Sequence, residues 1–375
     1  MRKITVASDS FKGSLTSMQV ADNVERAVKE VFPDCHVQKI DVADGGEGTV
    51  EALVSSLGGE YVDVEVAGPI GRKVTARYGI IDEGRTAVIE MAVASGLPLI
   101  SPEERNPLKT STYGTGMMIR DALNRGCRKF LVGIGGSATN DGGTGMLSAL
   151  GFMFLDKDGY VLEGTGENLA RIASVCDADV LREVSEAEFT VACDVDNPFC
   201  GPAGAAYVFA PQKGADDAMV RCLDEGLASF AGVISRYTGQ MVADLPGAGA
   251  AGGLGGAFKA FLGARLTRGI EIVLDAIGFD GKIAGSSLVI TGEGSVDAQT
   301  LMGKTPSGVL ARASKLGIPV MVLGGKVDAS VDFLKAGFSA VCQVTPEDMS
   351  LEDAMKADIA GENIFNAVIR LLGAE

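Results

Sequence analysis

Again and again along this chain, an apolar run of strand length ends in a Gly-rich turn that carries charge, and a helical pattern follows. "KITVAS" leads into "SDSFKGSLTS", "VQKIDVA" into "ADGGEGT", "RKFLVGIGG" into "SATNDGG", "EFTVACDV" into "NPFCG", and "SSLVITGEG" into "SVDAQTLMGKTP". Strands that alternate with helices build parallel sheets with crossover helices. In such sheets, ligands bind in the crevice outside the strands' carboxyl ends. The charged turns, though scattered in sequence, are therefore expected to lie on the binding edges of sheets.

The helical segments support this. After the first turn, Val20, Val24, Ala27, Val28 and Val31 recur at helical spacing, and Thr16 and Gln19 have capping-box spacing before them. Residues 61–91 break the rhythm, with "YVDVEVAG", "KVTARYGII" and "TAVIEMA" reading as a β meander. The strand–helix run after about residue 286 resembles the start of the chain more than its middle. We expect two α/β domains with largely parallel sheets, the second inserted into the first: residues 1–62 with 286–375, and 63–285.

Composition narrows the chemistry. The net charge is −16, which argues against a nucleic-acid partner. The longest apolar stretch, "TAVIEMAVASGLPLI", holds Glu90 and Pro98 and is too short to span a bilayer. Seven irregularly spaced Cys and no signal-peptide pattern read as reduced thiols in the cytoplasm. One His in 375 residues, His36 at a strand start, makes Ser-His-Asp hydrolysis and His-rich zinc sites poor readings. Acid–base work then falls on carboxylates or Lys.

Two motifs mislead. "AQTLMGKT", residues 298–305, nearly matches a P-loop, but Ala298 replaces the first Gly and "LVIT" finishes well before it. Thr305 is read instead as the N-cap of a helix whose first residue is Pro306. "GAGAAG", residues 247–252, has dinucleotide-loop spacing, but Pro246 ends the segment before it, so a flexible or close-packed loop is expected. The charged turns agree better with one another. Lys12, Lys213 and Lys304 each stand at or before a predicted helix start, where a cation is unfavourable unless an anion joins it. Carboxylates for Mg²⁺, cations for phosphate and one acid to deprotonate a hydroxyl are what phosphoryl transfer needs.

The blocks "ASDSFKGSLTS", "ADGGEGT", "IEMAVASGL", "TYGTG", "GIGGSATNDGG", "CDVDNPFCGPAGAAYVFAPQKGA", "GAGAAGGLG", "LDAIGFD" and "TGEGSVDAQTLMGKTPSGV" resemble, in order, the bacterial glycerate kinase family of the two-domain α/β kind, unrelated to P-loop glycerate kinases. The resemblance implies ATP-dependent phosphorylation of D-glycerate with Mg²⁺ in a cleft between the domains, the 2-phosphoglycerate product favoured. A kinase of another small hydroxy acid, or a non-catalytic metabolite sensor, remains an alternative. It leaves the role of each carboxylate open. Our assignment takes Asp194 as base, since it follows the apolar strand "FTVAC", with Lys12 and Lys213 beside it in catalysis. Asp9, Ser137, Thr139, Asn140, Asp141 and Glu90 are assigned to substrate. Lys304, Gly303, Thr305, Gly114 and Gly116 are assigned to nucleotide phosphate, and Asp44, Glu47, Glu293 and Asp297 to metal. Monomer and homodimer both remain open.

Overall fold

In a computed structural model, the described residues are 3–43, 45–46 and 48–373. The chain divides into two compact units: residues 1–56 with 269–375, and residues 57–268. The junctions at 56/57 and 268/269 both come earlier than the expected 62/63 and 285/286, the second well over a dozen residues earlier. The first strand of the meander joins the second unit's core through Val62 and Val66, and the apolar helix "GIEIVLDA" stays with the first unit, where Ile270 packs against Gly308.

The first unit begins with β1 (Lys3–Val6), α1 (Ser17–Val31), β2 (His36–Lys39) and α2 (Thr49–Leu57). The capping box read from sequence is present: Thr16 Oγ1 accepts from the Gln19 N–H at 3.2 Å, and Gln19 Oε1 accepts from the Thr16 N–H at 2.9 Å. The second unit follows with β3 (Glu60–Ala67), β4 (Lys73–Ile81), β5 (Thr86–Glu90), α3 (Ala92–Ser95), α4 (Tyr113–Asn124), β6 (Lys129–Gly133), α5 (Thr144–Ala149), β7 (Met153–Leu155), β8 (Ser174–Cys176), β9 (Glu188–Ala192), α6 (Ala205–Phe209), α7 (Asp217–Thr238), α8 (Ala250–Leu262) and β10 (Arg265–Thr267). The chain returns to the first unit with α9 (Gly269–Ala276), α10 (Phe279–Ile283), β11 (Leu288–Val296), α11 (Thr305–Lys315), β12 (Val320–Val327), β13 (Ala340–Gln343), α12 (Leu351–Ala354) and α13 (Ala357–Gly373).

The first unit's sheet is fully parallel, in the order β13-β12-β11-β1-β2. Ile4, Val6, Leu288 and Ile290 are buried with Val20, Val24 and Val28 of α1 and Ile364 and Val368 of α13. Burial of both strand faces explains why Leu288, Val289 and Ile290 are apolar in succession. The strand order reverses direction between β11 and β1: the chain steps from β1 to β2 on one side, and from β11 through β12 to β13 on the other. That reversal is the switch point at which open α/β sheets bind ligands.

The second unit's sheet has the order β10-β9-β6-β5-β4-β3, with β10, β9, β6 and β5 parallel and the meander pairs β5-β4 and β4-β3 antiparallel. Its register aligns Thr267, Ala192, Gly133 and Glu90 in one row. The loops after these four strands therefore leave from one edge. The core is aromatic, with Phe130 stacked on Phe189 at 4.7 Å between ring centroids. The short β7–β8 hairpin and β10 escaped the sequence reading, because three residues are too few to show a period. Among the described residues no helix is long and apolar enough to cross a membrane.

Candidate active site

At the first unit's switch point, the turn after β1 meets the segment after β11. Asp9 is buried; its Oδ1 accepts from the Ser10 N–H at 2.7 Å and its Oδ2 from the Thr305 hydroxyl at 3.2 Å. Lys304 pairs with Glu293, Nζ to Oε2 at 3.2 Å. The other Glu293 oxygen, Oε1, is buried and without a partner. Asp9, Lys12, Glu293 and Lys304 line one cavity of about 850 Å³, together with Lys326 and Ser14, whose hydroxyl is also buried and unpartnered. A buried carboxylate oxygen with no donor is costly unless a ligand supplies one.

Two readings of this segment need correction. Thr305 is not the N-cap: Lys304 holds that position, and Thr305 is the first residue of α11, its hydroxyl turned to Asp9. Ser307 Oγ serves the end locally instead, accepting from the Gly303 N–H and donating to the Lys304 carbonyl. Nor does the strand finish well before Ala298; β11 runs to Val296, held by ladder pairing with β12 from Val289 to Val296. The P-loop reading gains nothing from this. Residues Ala298–Met302 form a 3₁₀ helix capped by Asp297, whose Oδ1 accepts from the Gln299 N–H at 2.8 Å.

In the second unit, the "GIGGSATNDGG" loop encloses a carboxyl group of its own. Asp141 is fully buried. Its Oδ2 accepts from the Thr112 N–H and hydroxyl at 2.8 Å each and from the Gly145 N–H at 3.2 Å, and its Oδ1 from the Gly143 N–H at 3.0 Å. These donors sit at the N-termini of α4 and α5, where an anion is favoured. Burial pushes the Asp141 carboxyl up, against the four hydrogen bonds that favour its ionised form. Gly252 and Gly253 (φ 72° and 94°) let α8 start against this loop, and the Gly142 N–H donates to the Gly252 carbonyl at 3.0 Å. The second half of "GAGAAG" is thus a close-packed contact between segments.

Lys213 stands apart from the expectation of a cation at a helix start. It is sealed, 1% exposed, and its Nζ donates to Ser137 Oγ at 2.7 Å and to the Thr139 carbonyl at 2.6 Å. Beside it the Thr139 hydroxyl and both polar atoms of the Asn140 amide are buried without partners. Burial pulls the Lys213 ammonium down from 10.5 to about 7, with Asp141 opposing the shift. An unfolded chain holds that proton up to about pH 10.5, so from pH 7 to 10.5 it binds one proton more than the folded protein. This group therefore makes stability climb with pH across that window, by at most about 1.4 kcal/mol per unit. Below pH 7 the folded protein carries the buried charge at full cost. Lys213→Met should gain most stability at low pH and lose this part of the slope, as read by urea denaturation from pH 6 to 10. Equal slopes in variant and parent would refute it.

The other assigned residues are dispersed. Glu90 ends β5 beside Gly133, and Asp194 lies exposed just past β9, both on the carboxyl edge of the second unit's sheet. Gly114 and Gly116 are buried in α4, where a Cβ would collide with the Ala67 and Met146 carbonyl oxygens respectively; packing alone requires Gly there. Asp44 and Glu47 lie outside the described residues. Among the described residues no three Asp, Glu, His or Cys side chains gather as a metal cage. Mg²⁺ needs none, since one or two carboxylates with substrate phosphates suffice, and the unpartnered Glu293 oxygen fits that role. Sequence reasoning missed Thr112 and Lys326. Thr112 directly precedes a helical run, and Lys326 ends an apolar strand in "GGK", the same design as the other charged turns.

A model of the glycerate kinase family matches residues 4–372. The chain is 46% identical over 357 residues to a glycerate kinase of Halalkalibacterium halodurans, covering 95% of this chain and 94% of the relative. It is 43% identical over 366 residues to the glycerate 2-kinase of Escherichia coli, covering 97% and 96%. A crystal structure named for glycerate kinase 2 of Salmonella typhimurium matches with a TM-score of 0.90 at 44% identity, covering 100% of this chain and 98% of that one.

Proposed function

We propose, since this chain belongs to the glycerate kinase family, that it transfers the γ-phosphoryl group of ATP directly to the 2-hydroxyl of D-glycerate. Within the molecule, the observation that carries this reading is the cavity at the first unit's switch point, where Lys304, Lys12 and a half-unpartnered Glu293 converge. The name of the Escherichia coli relative supports the 2-position.

The new bond forms between the 2-hydroxyl oxygen and the γ-phosphorus, the bond to the β–γ bridging oxygen breaks, and ADP leaves. Asp194 takes the hydroxyl proton. Lys12 and Lys304 neutralise the phosphate charge, which is most of what a protein contributes to this chemistry. Gly303, in a left-handed turn (φ 106°), ends the 3₁₀ helix and aims Lys304. Thr305 fixes Asp9, and Asp9 fixes the turn that carries Lys12. Mg²⁺ held by Glu293 would further neutralise the phosphates. Lys213 and Ser137 position the Gly-rich loop for glycerate from beneath, and Glu90 flanks it on the adjacent strand.

ADP release in a coupled assay, with NMR of the product, tests the reading. Turnover of D-glycerate to 2-phosphoglycerate, abolished by excess chelator and restored by Mg²⁺, is the expected result. No turnover of D-glycerate refutes the activity, a 3-phosphoglycerate product refutes the position, and full activity in chelator refutes the metal.

A further inference from the structure

The cavity of the first unit has two kinds of wall. Its floor is formed by the turn after β1, the ends of β11 and β12 and the start of α11, bearing Asp9, Lys12, Glu293, Lys326 and Lys304. Its other wall is the segment from Val344 to Ala360, mostly apolar with Val344, Pro346, Met349, Leu351, Ala354 and Met355, and with Thr345 and Glu347 among them. Leu351 is 76% exposed and Met355 41%. Met355 reaches across to the turn that carries Lys12, its Cε lying 2.7 Å from where a Cβ on Gly13 would stand. Gln343 fixes the start of the wall: its Oε1 accepts from the Val327 N–H at 3.0 Å and its Nε2 donates to the Thr345 carbonyl at 3.0 Å.

A three-carbon hydroxy acid is small and polar on every side and has no apolar face to cover Met355, Leu351 and their neighbours. A cavity of about 850 Å³ also lies in the range of sites for much larger ligands. A nucleoside triphosphate matches both walls. Its phosphates suit the lysines and its flat base suits thioether and aliphatic side chains, which conform to aromatic faces. Resting on the kinase reading above, we infer that the segment from Val344 to Met355 is the base-binding wall of the nucleotide site. The base lies against Met355 and Leu351, and the phosphates run to Lys304, Lys12 and Lys326. The wall thus sets affinity for the nucleoside and leaves glycerate untouched.

The test is isothermal titration of the full chain with ADP and with inorganic tripolyphosphate, which has the phosphates and no base. A carboxamide set against the base must be desolvated and brings no charge toward the phosphates, so Met355→Asn should weaken ADP binding by about tenfold. Tripolyphosphate binding and the KM for D-glycerate should stay at parent values. Leu351→Asn, at a more exposed position, should act in the same direction and guards against a folding defect in the first variant. ADP binding at parent strength in both variants overturns the inference. So does an equal loss for tripolyphosphate, or an effect confined to the KM for glycerate. The two readings fail separately. A chain that binds ADP through this wall but does not phosphorylate D-glycerate sinks the kinase reading alone. An active kinase whose wall variants bind ADP normally sinks only the inference.

Discussion

Asp141→Ala is expected to lower stability by about 3–5 kcal/mol, because four donors inside a sealed loop lose their only acceptor at once. For a unit of this size, that is a fall in melting temperature of roughly 10 °C. The damage should be regional, since the carboxylate ties the N-termini of α4 and α5 together and the Gly-rich loop is wrapped around it. Asp141→Asn should fall between variant and parent: its amide oxygen replaces one acceptor, while its NH₂ faces a donor. Scanning calorimetry decides the matter. If Asp141→Ala melts with the parent and instead raises the KM for glycerate, Asp141 contacts the substrate, as the sequence reading had it. A loss of stability with glycerate KM unchanged in the folded fraction makes it an internal anchor.

Asp194→Asn is expected to lower kcat by about 10²–10⁴, the usual contribution of a positioned acid or base. The glycerate KM and the melting temperature should barely move. The fold gives the reason for the second half. Phe189 and Val191 of β9 are buried, and Asp194 lies beyond the strand end and is exposed, so an amide of the same shape leaves the packing of the strand intact. The substitution keeps shape and removes the carboxylate that would accept the proton. Steady-state kinetics across pH checks it, and the low-pH limb of the kcat profile should disappear with the carboxylate. A kcat within a few-fold of the parent would end the base assignment and turn attention to Asp297 or Asp44.

Much of the architecture was legible because it is local. Strand and helix follow from periods of two and about 3.6 residues, and the Thr16–Gln19 capping box from a spacing of three. The charged turns were legible for the same reason: apolar strand, Gly, acid or lysine, helix. From that pattern and the family resemblance came the α/β class and the kinase chemistry. What each charged residue faces was not legible. Asp141 finds its donors at Thr112, 29 residues away, Lys213 finds Ser137 at 76, and Thr305 finds Asp9 at 296. A turn rich in Gly around one Asp has the same sequence whether it cradles a ligand or, as at Asp141, the chain's own carboxylate. Only the packing of α4 and α5 decides which, because burial removes water and leaves the carboxylate as the one acceptor within reach.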